Sequence, residues 1–298
     1  MLFCIFSFNR GQFLENCVAS IEQCAPGARI AVFDDNSYDE YTRDVLKKIA
    51  AKHTVMQPGH QSQRRLGGLY GNMQSALEHA ANEDLVCYLQ DDTQMVRPLT
   101  PQDMAAINAL FDGDERIGFV SPCFLRGRNR QRDVSSMVFD PVRQIYFRHG
   151  TKQSAGQNFS ALLIMRPKML LARGWSFGRS EPENDRQASA LFGPMAYLKT
   201  PFAMWLPEVP TYRGKRKTLA LKIAERQRRS GYFPFRILNE EEVAALRSRL
   251  PEILPIAEDF LSCTSGDPKK PWAYHPMQDD RWLQKLSSAE IFIRRIFP

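Results

Sequence analysis

The chain has 298 residues, 43% of them hydrophobic and 24% charged, which is an ordinary globular composition for one large α/β domain or two smaller ones. No apolar run approaches the roughly 20 residues needed to span a bilayer, and the first residues lack the basic region and cleavage site of a signal peptide. The six cysteines form no CxxC pair, which favours buried, reduced thiols over a zinc site or disulfide framework and predicts a cytoplasmic protein.

Three apolar, β-rich runs in the first third of the chain each end abruptly in polar residues. The run 2–6 precedes 7–10, the run 28–33 precedes 34–37, and the run 84–90 precedes Asp91 and Asp92. Segments with apolar residues at helical spacing lie between them, over 12–24, 41–52 and 69–81. This alternation predicts parallel βαβ units in a doubly wound sheet, with a ligand crevice along the edge where the strands end.

The parallel pattern ends after residue 123. We expect, in chain order, a helix over 101–111, a strand over 117–123, a basic loop over 126–132, a hairpin over 136–149, a strand over 158–166, helices over 167–172 and 183–192, and a short strand over 203–206. Beyond residue 213 the periodicity is helical and prolines are frequent. The sequence therefore predicts an α/β domain over 1–213 and a basic, mostly helical C-terminal extension over 214–298.

The adjacent carboxylates Asp91 and Asp92 are the strongest single indication of chemistry. Carboxylates beyond the end of an apolar strand can hold a hard divalent cation against a diphosphate. Taken alone, the pair fits a solvated turn about equally well, since Asp is common in turns. Asp34 to Ser37 likewise fit a helix N-cap as well as a ligand site. The recurrence of polar clusters after three strands favours the ligand site.

Taken together, Phe6 to Arg10, Phe33 to Ser37 and Leu89 to Asp92 resemble the nucleotide-sugar half of family 2 glycosyltransferases, which are inverting enzymes with the type A fold. Asn72 and the stretch Trp205 to Val209 also resemble that family, so the resemblance covers about residues 1–213. It implies a Rossmann-like, mixed and mainly parallel sheet. It also implies metal-assisted transfer of a sugar from a nucleotide diphosphate, most simply UDP, to a carbohydrate or lipid-linked acceptor.

The resemblance implies roles for individual residues. Asp35 would accept a hydrogen bond from the uracil imide N–H, a charge-assisted contact, and Phe8 would stack on the base. Asp92 would bind Mg²⁺ or Mn²⁺ between the phosphates, and Asp91 would contact the ribose or the donor sugar. The implied donor-binding residues are Phe6, Phe8, Arg10, Asp35, Arg65 and Asp91, with Asp92 as the metal ligand.

Glycosyl transfer also needs a base that takes the proton from the acceptor hydroxyl. The family's acidic pair corresponds to residues 181–185, in which Asp185 is the first candidate and Glu183 the second. A helix cap explains either carboxylate at least as well. Tyr212 and Arg213 stand where the family often has a metal-ligating histidine, so Arg213 or Lys215 would share the phosphate charge. The five histidines show no ligand spacing and are interpreted as structural or exposed.

Positive charge is concentrated in one segment. From Arg213 to Arg229 there are eight cations and one anion, an excess equal to the whole formal net charge of +7. The segment lacks aromatic interleaving and any nucleic-acid-binding motif, so a solvated face or an anionic membrane contact is favoured over nucleic acid. Leu219 and Ile223 share a helix face beside these cations, and residues 291–297 are apolar with two arginines. We expect peripheral, salt-sensitive association with the inner face of a membrane, although packing of these apolar residues on the catalytic domain fits the terminal segment equally well.

Two other functions stay open at this point. A nucleotidylyltransferase of related fold would need a Gly-rich, basic phosphate loop directly after the first strand, and Asn9 to Gln12 are a poor version of it. A non-catalytic module that binds sugar or nucleic acid is the third hypothesis.

Overall fold

The computed structural model describes residues 1–57, 68–150, 156–211, 217–278 and 280–296 of the chain. The strands are β1 (Leu2–Ser7), β2 (Arg29–Asp34), β3 (Thr54–Met56), β4 (Val86–Gln90), β5 (Thr93–Met95), β6 (Val120–Ser121), β7 (Met137–Asp140), β8 (Ile145–Arg148), β9 (Leu163–Met165), β10 (Ala196–Leu198) and β11 (Ala203–Trp205). The helices are α1 (Gly11–Cys24), α2 (Glu40–Ala50), α3 (Leu69–His79), α4 (Pro101–Gly113), α5 (Arg130–Ser136), α6 (Pro167–Ala172), α7 (Glu181–Leu191), α8 (Leu219–Arg228), α9 (Glu240–Ser248), α10 (Ala257–Phe260) and α11 (Arg281–Ile296). Arg65, Tyr212, Arg213 and Lys215, to which the sequence assigns contacts or positions at the site, lie outside the described residues.

The central sheet has nine strands in the order β3-β2-β1-β4-β9-β6-β10-β8-β7. Strands β3, β2, β1 and β4 run parallel to one another, and β9 lies antiparallel between β4 and β6. Ser7 of β1 pairs with Asp34 of β2, and Phe6 pairs with Gln90 of β4, so these three strands end at the same edge. The prediction of an α/β fold with a mixed, mainly parallel sheet is confirmed.

Both faces of the sheet are covered, because side chains alternate between the faces along each strand. In β1, Phe3 and Ile5 pack with the apolar sides of α1 and α2. Leu2, Cys4 and Phe6 join a second cluster that includes residues of α3 and α7. Burial on both faces explains the nearly continuous apolar runs from which the strands were predicted.

Three predicted elements differ from the structure. The strand predicted over 117–123 is limited to Val120–Ser121, and the strand predicted over 158–166 is limited to Leu163–Met165. The loop predicted over 126–132 is wrong, because Gly127–Asn129 form a 3-10 turn that leads directly into α5. The N–H of Gly127 donates to the carboxylate of Glu258 at 2.7 Å, a contact over 131 residues that no local pattern reveals. The predicted hairpin is confirmed as β7 and β8.

The C-terminal extension contains helices α8 to α11, joined by irregular segments, and packs on the α/β part. A shared apolar cluster joins Phe124, Met204 and Leu206 to Phe235, Leu246 and Trp272. The side-chain amide of Gln94 donates to the carbonyl of Phe235 at 2.7 Å and accepts from its N–H at 2.9 Å. The proposed boundary after residue 213 falls outside the described residues and stays a prediction.

Two further predictions concern thiols and membrane spans. Five of the six cysteines are buried as predicted, and Cys263 is half-buried. Within the ranges that the structure describes, no helix combines the length and the apolar character that a membrane crossing requires.

Candidate active site

A cavity of about 590 Å³ lies at the edge where β1, β2 and β4 end. Its lining includes all the predicted donor and metal residues that the structure describes, namely Phe6, Phe8, Arg10, Asp35, Asp91 and Asp92. The start of α3 contributes Gly68, Leu69 and Asn72. Residues predicted from three separate motifs therefore meet at a single cavity.

The loop after β2 is held by the first carboxylate of the Asp34–Asp35 pair. Asp34 is fully buried and accepts hydrogen bonds from the N–H and the hydroxyl of Ser37, at 2.8 and 2.5 Å. It also accepts from the side-chain amide of Gln57 at 3.1 Å. Asp34 is thus a structural carboxylate, and Asp35 is the member of the pair that lines the cavity.

The helix after this loop is capped by a different residue. Asp39 is the N-cap of α2, and its carboxylate accepts from the N–H of Thr42 at 2.8 Å. The side chain of Asn9 accepts from the N–H groups of Tyr38 and Asp39, at 2.9 and 3.1 Å, and so joins the loops after β1 and β2. The alternative in which Asp34 to Ser37 cap the helix is wrong, because the Asp34 carboxylate is used inside its own turn.

Asp35 is half-buried at the cavity wall. One of its oxygens accepts a hydrogen bond of 2.9 Å from the N–H of Gly68, whose φ of +92° favours glycine. Burial raises the pKa of Asp35, the hydrogen bond from Gly68 opposes this rise, and the charge of Asp34 adds to it. The carboxylate is therefore a partly desolvated acceptor, which suits recognition of an N–H group on a ligand.

An aromatic ring lies near this carboxylate in the cavity. Phe8 lines the cavity and packs edge-to-face with Tyr38, with 6.0 Å between the ring centroids. Phe6 is buried and packs edge-to-face with Tyr88 at 4.9 Å, so its ring belongs to the core. Phe8 is therefore the better placed of the two rings to stack on a base.

Arg10 joins the two carboxylates that follow β4. Its Nη1 donates to Asp91 at 3.3 Å and to Asp92 at 2.7 Å, and Asp91 also accepts from the N–H of Phe8 at 3.1 Å. Burial raises the pKa of Asp91, and the charge of Arg10 opposes this rise. Burial alone would lower the pKa of Arg10, but Asp92 and Asp91 outweigh burial and raise it. The guanidinium thus stays charged between the two carboxylates.

Comparison with known proteins assigns the family. The sequence over residues 3–152, about half of the chain, matches glycosyl transferase family 2. The chain belongs to this family. The resemblance on which the predicted activity depends is therefore confirmed, and the protein is a glycosyltransferase by family. None of the curated proteins matches the chain at a significant level.

Many solved structures resemble this family 2 glycosyltransferase, and two of them illustrate the likeness. The S. aureus TarS 1-349 protein is 16% identical over 68% of this chain and 59% of its own, with a TM-score of 0.46. The mannosyltransferase PcManGT from Pyrobaculum calidifontis, in complex with GDP-Man and Mn²⁺, is 17% identical over 97% of this chain and 72% of its own, with a TM-score of 0.45. The chain spans less than two thirds of the length of the TarS protein. Similarity at these scores does not bear on donor, acceptor or metal.

The carboxylate pair fits a divalent cation whose coordination is completed by the donor. Across the described ranges, no group of three or more His, Cys, Asp or Glu side chains could hold a metal ion. However, Oδ1 of Asp92 is buried without a hydrogen-bond partner, which is unusual for a carboxylate oxygen. Mg²⁺ is usually held by one or two carboxylates together with substrate phosphates. The residues present fit such a shared site, with Asp92 as the ligand from the protein.

The C-terminal extension supplies part of the cavity wall. Tyr274 and His275 line the cavity, although the histidines are predicted from the sequence to be structural or exposed. The guanidinium of Arg126 lies 4.1 Å from the ring centroid of Trp205 and 4.6 Å from that of Tyr274. Two cation–π contacts thus fix a positive charge beside a cavity-lining residue. These residues come from distant segments, and no motif in the sequence connects them.

The two predicted catalytic carboxylates lie in the first turns of α7, and neither lines the cavity. Asp185 is buried and accepts from the N–H groups of Asn158 and Phe159 and from the Asn158 amide, at 3.0 to 3.2 Å. Glu183 is exposed and accepts from the N–H of Arg179 at 2.8 Å. Both carboxylates hold neighbouring backbone, and their catalytic role stays a prediction.

A third carboxylate of the same segment, Glu181, has different surroundings. Burial raises the pKa of Glu181, the cation of Arg126 opposes this rise, and Asp185 adds to it. Burial and the charge of Glu181 together raise the pKa of Tyr70 on α3. Glu181 does not line the cavity either, but it is within electrostatic reach of Arg126, which contacts the cavity-lining Tyr274, and of α3, whose first residues line the cavity. Its burial is not visible in the sequence, which is why it was not predicted.

Proposed function

We propose that this family 2 glycosyltransferase moves a sugar from a nucleotide diphosphate donor, with uridine as the nucleoside, to a hydroxyl of a carbohydrate or lipid-linked acceptor, with inversion. The observation that carries this proposal is the meeting of Asp35, Asp91 and Asp92, from two separate loops, at one cavity with Phe8 and Arg10. The cavity volume of about 590 Å³ is within the usual range for small-molecule sites.

The donor half of the proposal assigns residues to the base, the sugar and the diphosphate of the donor. Asp35 accepts a hydrogen bond from the uracil imide N–H, and Phe8 stacks on the base. Asp91 contacts the ribose or the donor sugar, and Arg10 supports the charge of the diphosphate. Mg²⁺ or Mn²⁺ bound at Asp92 would neutralise charge on the departing diphosphate. Arg65, outside the described residues, stays a predicted donor contact.

The acceptor half of the proposal requires a carboxylate that accepts a proton as the hydroxyl attacks. We rank Glu181 first, because burial raises its pKa and because Arg126, whose charge acts on it, contacts the cavity-lining Tyr274. Asp185 ranks second, since its oxygens already accept three hydrogen bonds. Glu183 ranks third, since it is exposed and bonded to backbone.

A nucleotidylyltransferase is disfavoured by the start of α1. Phosphate binding at a helix start requires open N–H groups. The N–H of Gly11 donates to the Thr42 hydroxyl at 2.7 Å, and a Cβ on Gly11 would come within 2.9 Å of the Thr42 Cα. The start of α1 is therefore packed against α2, and glycine is needed there for close approach rather than for a phosphate.

Peripheral association with an anionic membrane surface belongs to the same proposal. The basic segment 213–229 is described only from residue 217 onward, and most of this described part forms α8. A lipid-linked acceptor would be met at such a surface. The exposed sides of α8 and α11 support this part of the proposal, whereas nothing in the described residues favours nucleic acid.

The proposal is tested by thermal denaturation with UDP and GDP, each with and without Mn²⁺, followed by mass spectrometry with a panel of UDP-sugars. We expect UDP to raise the melting temperature more when Mn²⁺ is present, and UDP to be released from one of the sugars. Asp84→Asn, which alters an exposed carboxylate before the opposite end of β4, is the matched control for changes at Asp92. Stabilisation by UDP without any release of UDP would favour a binding module, and no stabilisation by any nucleotide would reject the donor site.

A further inference from the structure

Helices α8 and α11 pack against each other as an antiparallel pair. The N–H of Leu219, at the start of α8, donates to Glu290 in the second half of α11 at 2.7 Å. Ala224, further along α8, packs with Leu283 near the start of α11. The side chains on these facing sides are buried, and they leave the outer sides of both helices uncovered.

The uncovered side of this pair is rich in large apolar side chains. Of the fifteen exposed large hydrophobic residues in the described ranges, seven belong to these two helices, which have 10 and 16 residues. Six of the seven are Leu219, Ile223, Trp282, Leu286, Phe292 and Ile293. Trp282, Leu286 and Ile293 follow i, i+4 and i+11 spacing, so they form one stripe on α11. Because the helices are antiparallel, the exposed flank of α8 with Leu219 and Ile223 faces the same way as this stripe.

Positive charge borders this apolar side. Four exposed cations of the pair are Lys222, Arg226, Arg281 and Lys285. The carboxylate of each helix already has a partner, because Glu225 pairs with Lys217 at 2.7 Å and Glu290 pairs with Arg294. The uncovered side therefore combines apolar side chains, including one tryptophan, with an excess of positive charge.

We infer that the α8–α11 pair is an interfacial docking surface for an anionic lipid bilayer. Apolar side chains that enter the headgroup boundary, next to cations that meet anionic lipids, are the features that interfacial helices share. A second copy of the same surface is a poorer occupant, since it would bring cations against cations with no unpaired carboxylate on either described helix. On the proposed function, docking at this surface would bring the cavity to a lipid-linked acceptor held in the membrane. Vesicle binding needs no donor, so this inference can fail while the proposed donor binding and sugar transfer hold, and the reverse is also possible.

The surface can be tested on the unaltered chain by tryptophan fluorescence. Trp282 is 68% exposed, Trp175 and Trp272 are 2% and 1% exposed, and Trp205 is half-buried with Arg126 over its ring, so a shift in emission on membrane binding reports mainly on Trp282. We expect blue-shifted emission, and quenching by brominated lipid, with vesicles that contain phosphatidylglycerol at low ionic strength. Phosphatidylcholine vesicles and high ionic strength should both weaken the signal. Trp282→Phe should remove the shift.

Co-sedimentation of variants with vesicles separates the contribution of the cations from that of the apolar side chains. Each cation near the surface strengthens binding about fivefold, so Lys222→Gln with Lys285→Gln should weaken it about 25-fold. Trp282→Ser with Ile293→Ser should also weaken it strongly. The matched controls are Arg43→Gln with Lys48→Gln on α2 for charge, and Val142→Ser, 90% exposed, for apolar area.

Three results would overturn this inference. They are absence of binding to phosphatidylglycerol vesicles at low ionic strength, equal loss in the α2 controls, and a dimer without lipid that Trp282→Ser dissociates. The last result would assign the surface to a second copy of the chain. Thermal melts check that the variants stay folded. If a variant unfolds, brominated-lipid quenching of Trp282 in the unaltered chain still tests whether this surface enters the bilayer.

Discussion

Arg10 pairs with Asp92 through a contact of 2.7 Å to Oδ2, while Oδ1 of the same carboxylate is buried without a hydrogen-bond partner. The same guanidinium reaches Asp91 at 3.3 Å, so one cation serves two carboxylates. With both carboxylates ionised, the three groups carry one net negative charge. This charge and the unpartnered oxygen give Asp92 the properties of a metal ligand without a complete metal site.

We predict that Asp92→Asn lowers metal-dependent sugar transfer by at least about 100-fold and leaves the fold intact. The amide keeps the shape of the side chain but loses its charge, and removal of one group that stabilises charge in the transition state typically costs about 10²–10³ in kcat. Turnover is measured over a series of Mn²⁺ concentrations, with Asp84→Asn as the control. Near-normal turnover of Asp92→Asn at saturating Mn²⁺ would reject the metal assignment.

Asp35→Ala should weaken UDP binding by about 1.5–3 kcal/mol, the range for a hydrogen bond to a charged group, with little effect on kcat once the donor saturates. The physical reason is the loss of the only carboxylate assigned to the base. Isothermal titration calorimetry measures the affinity directly. An unchanged affinity would limit Asp35 to its structural contact with Gly68.

The same carboxylate should make donor affinity depend on pH. Burial raises the pKa of Asp35 above the ordinary value of about 3.9, although Gly68 opposes the rise. The ionised form makes the stronger, charge-assisted bond with an imide N–H, so UDP affinity should be constant well above this pKa and fall as the pH decreases through it. Asp35→Asn should lack this step. A step that persists in the variant would belong to another group, such as Asp91.

The donor half of the site could be predicted because each carboxylate follows its own strand in the sequence. Asp35 and Asp92 come directly after apolar runs, and parallel strands necessarily bring their ends to one edge. The expectation that Asp35, rather than Asp34, lines the cavity came only from the family resemblance. The structure adds the physical reason for one pair, since Asp34 is fully used by Ser37 and Gln57.

The part of the cavity wall that the C-terminal extension supplies could not be predicted from local patterns. Arg126, Trp205 and Tyr274 lie in three distant segments and meet only through packing of the C-terminal extension. The carboxylates of α7 could not be ranked from the sequence either. The position of a residue in a motif does not show whether its carboxylate oxygens already accept hydrogen bonds from backbone N–H groups. Asp185 matches the family position, yet its oxygens are bonded to the chain before β9.

Glu181→Gln should lower kcat by about 10²–10⁴ and leave donor affinity nearly unchanged, because general-base catalysis acts mainly in the transition state. Single-turnover kinetics with calorimetry of UDP binding separate these two effects. Glu241→Gln, on an exposed carboxylate in the first turn of α9, is the matched control and should be nearly neutral.

Asp185→Asn should act mainly on stability, since it weakens charge-assisted bonds to Asn158 and Phe159. A lower melting temperature with the kcat of the folded fraction retained fits a positioning role. If instead Asp185→Asn lowers kcat at an unchanged melting temperature and Glu181→Gln does not, Asp185 is the base and our ranking is wrong.

The final prediction concerns a buried ion pair away from the cavity. The side chain of Arg97 is fully buried and donates to Asp103 at 2.8 and 3.1 Å and to the carbonyl of Pro201 at 3.0 Å. Asp103→Asn should lower the free energy of unfolding by about 3–5 kcal/mol, because it leaves a buried cation uncompensated. Asp44→Asn breaks the exposed pair with Lys47 and should change stability little.

The pH dependence of the stability loss in Asp103→Asn tests whether this loss is electrostatic. Burial alone would raise the pKa of Asp103, but the hydrogen bonds and charge of Arg97, with help from Thr100, outweigh burial and lower it. Since the pKa is lower in the folded state, the carboxylate stabilises the protein fully above its unfolded value of about 3.9, and this contribution is lost as the pH falls through the folded value. Urea unfolding should therefore show the full difference between the parent chain and Asp103→Asn at neutral pH and a smaller one in acid. A difference that is the same at both pH values would mean that the variant acts through packing rather than through charge.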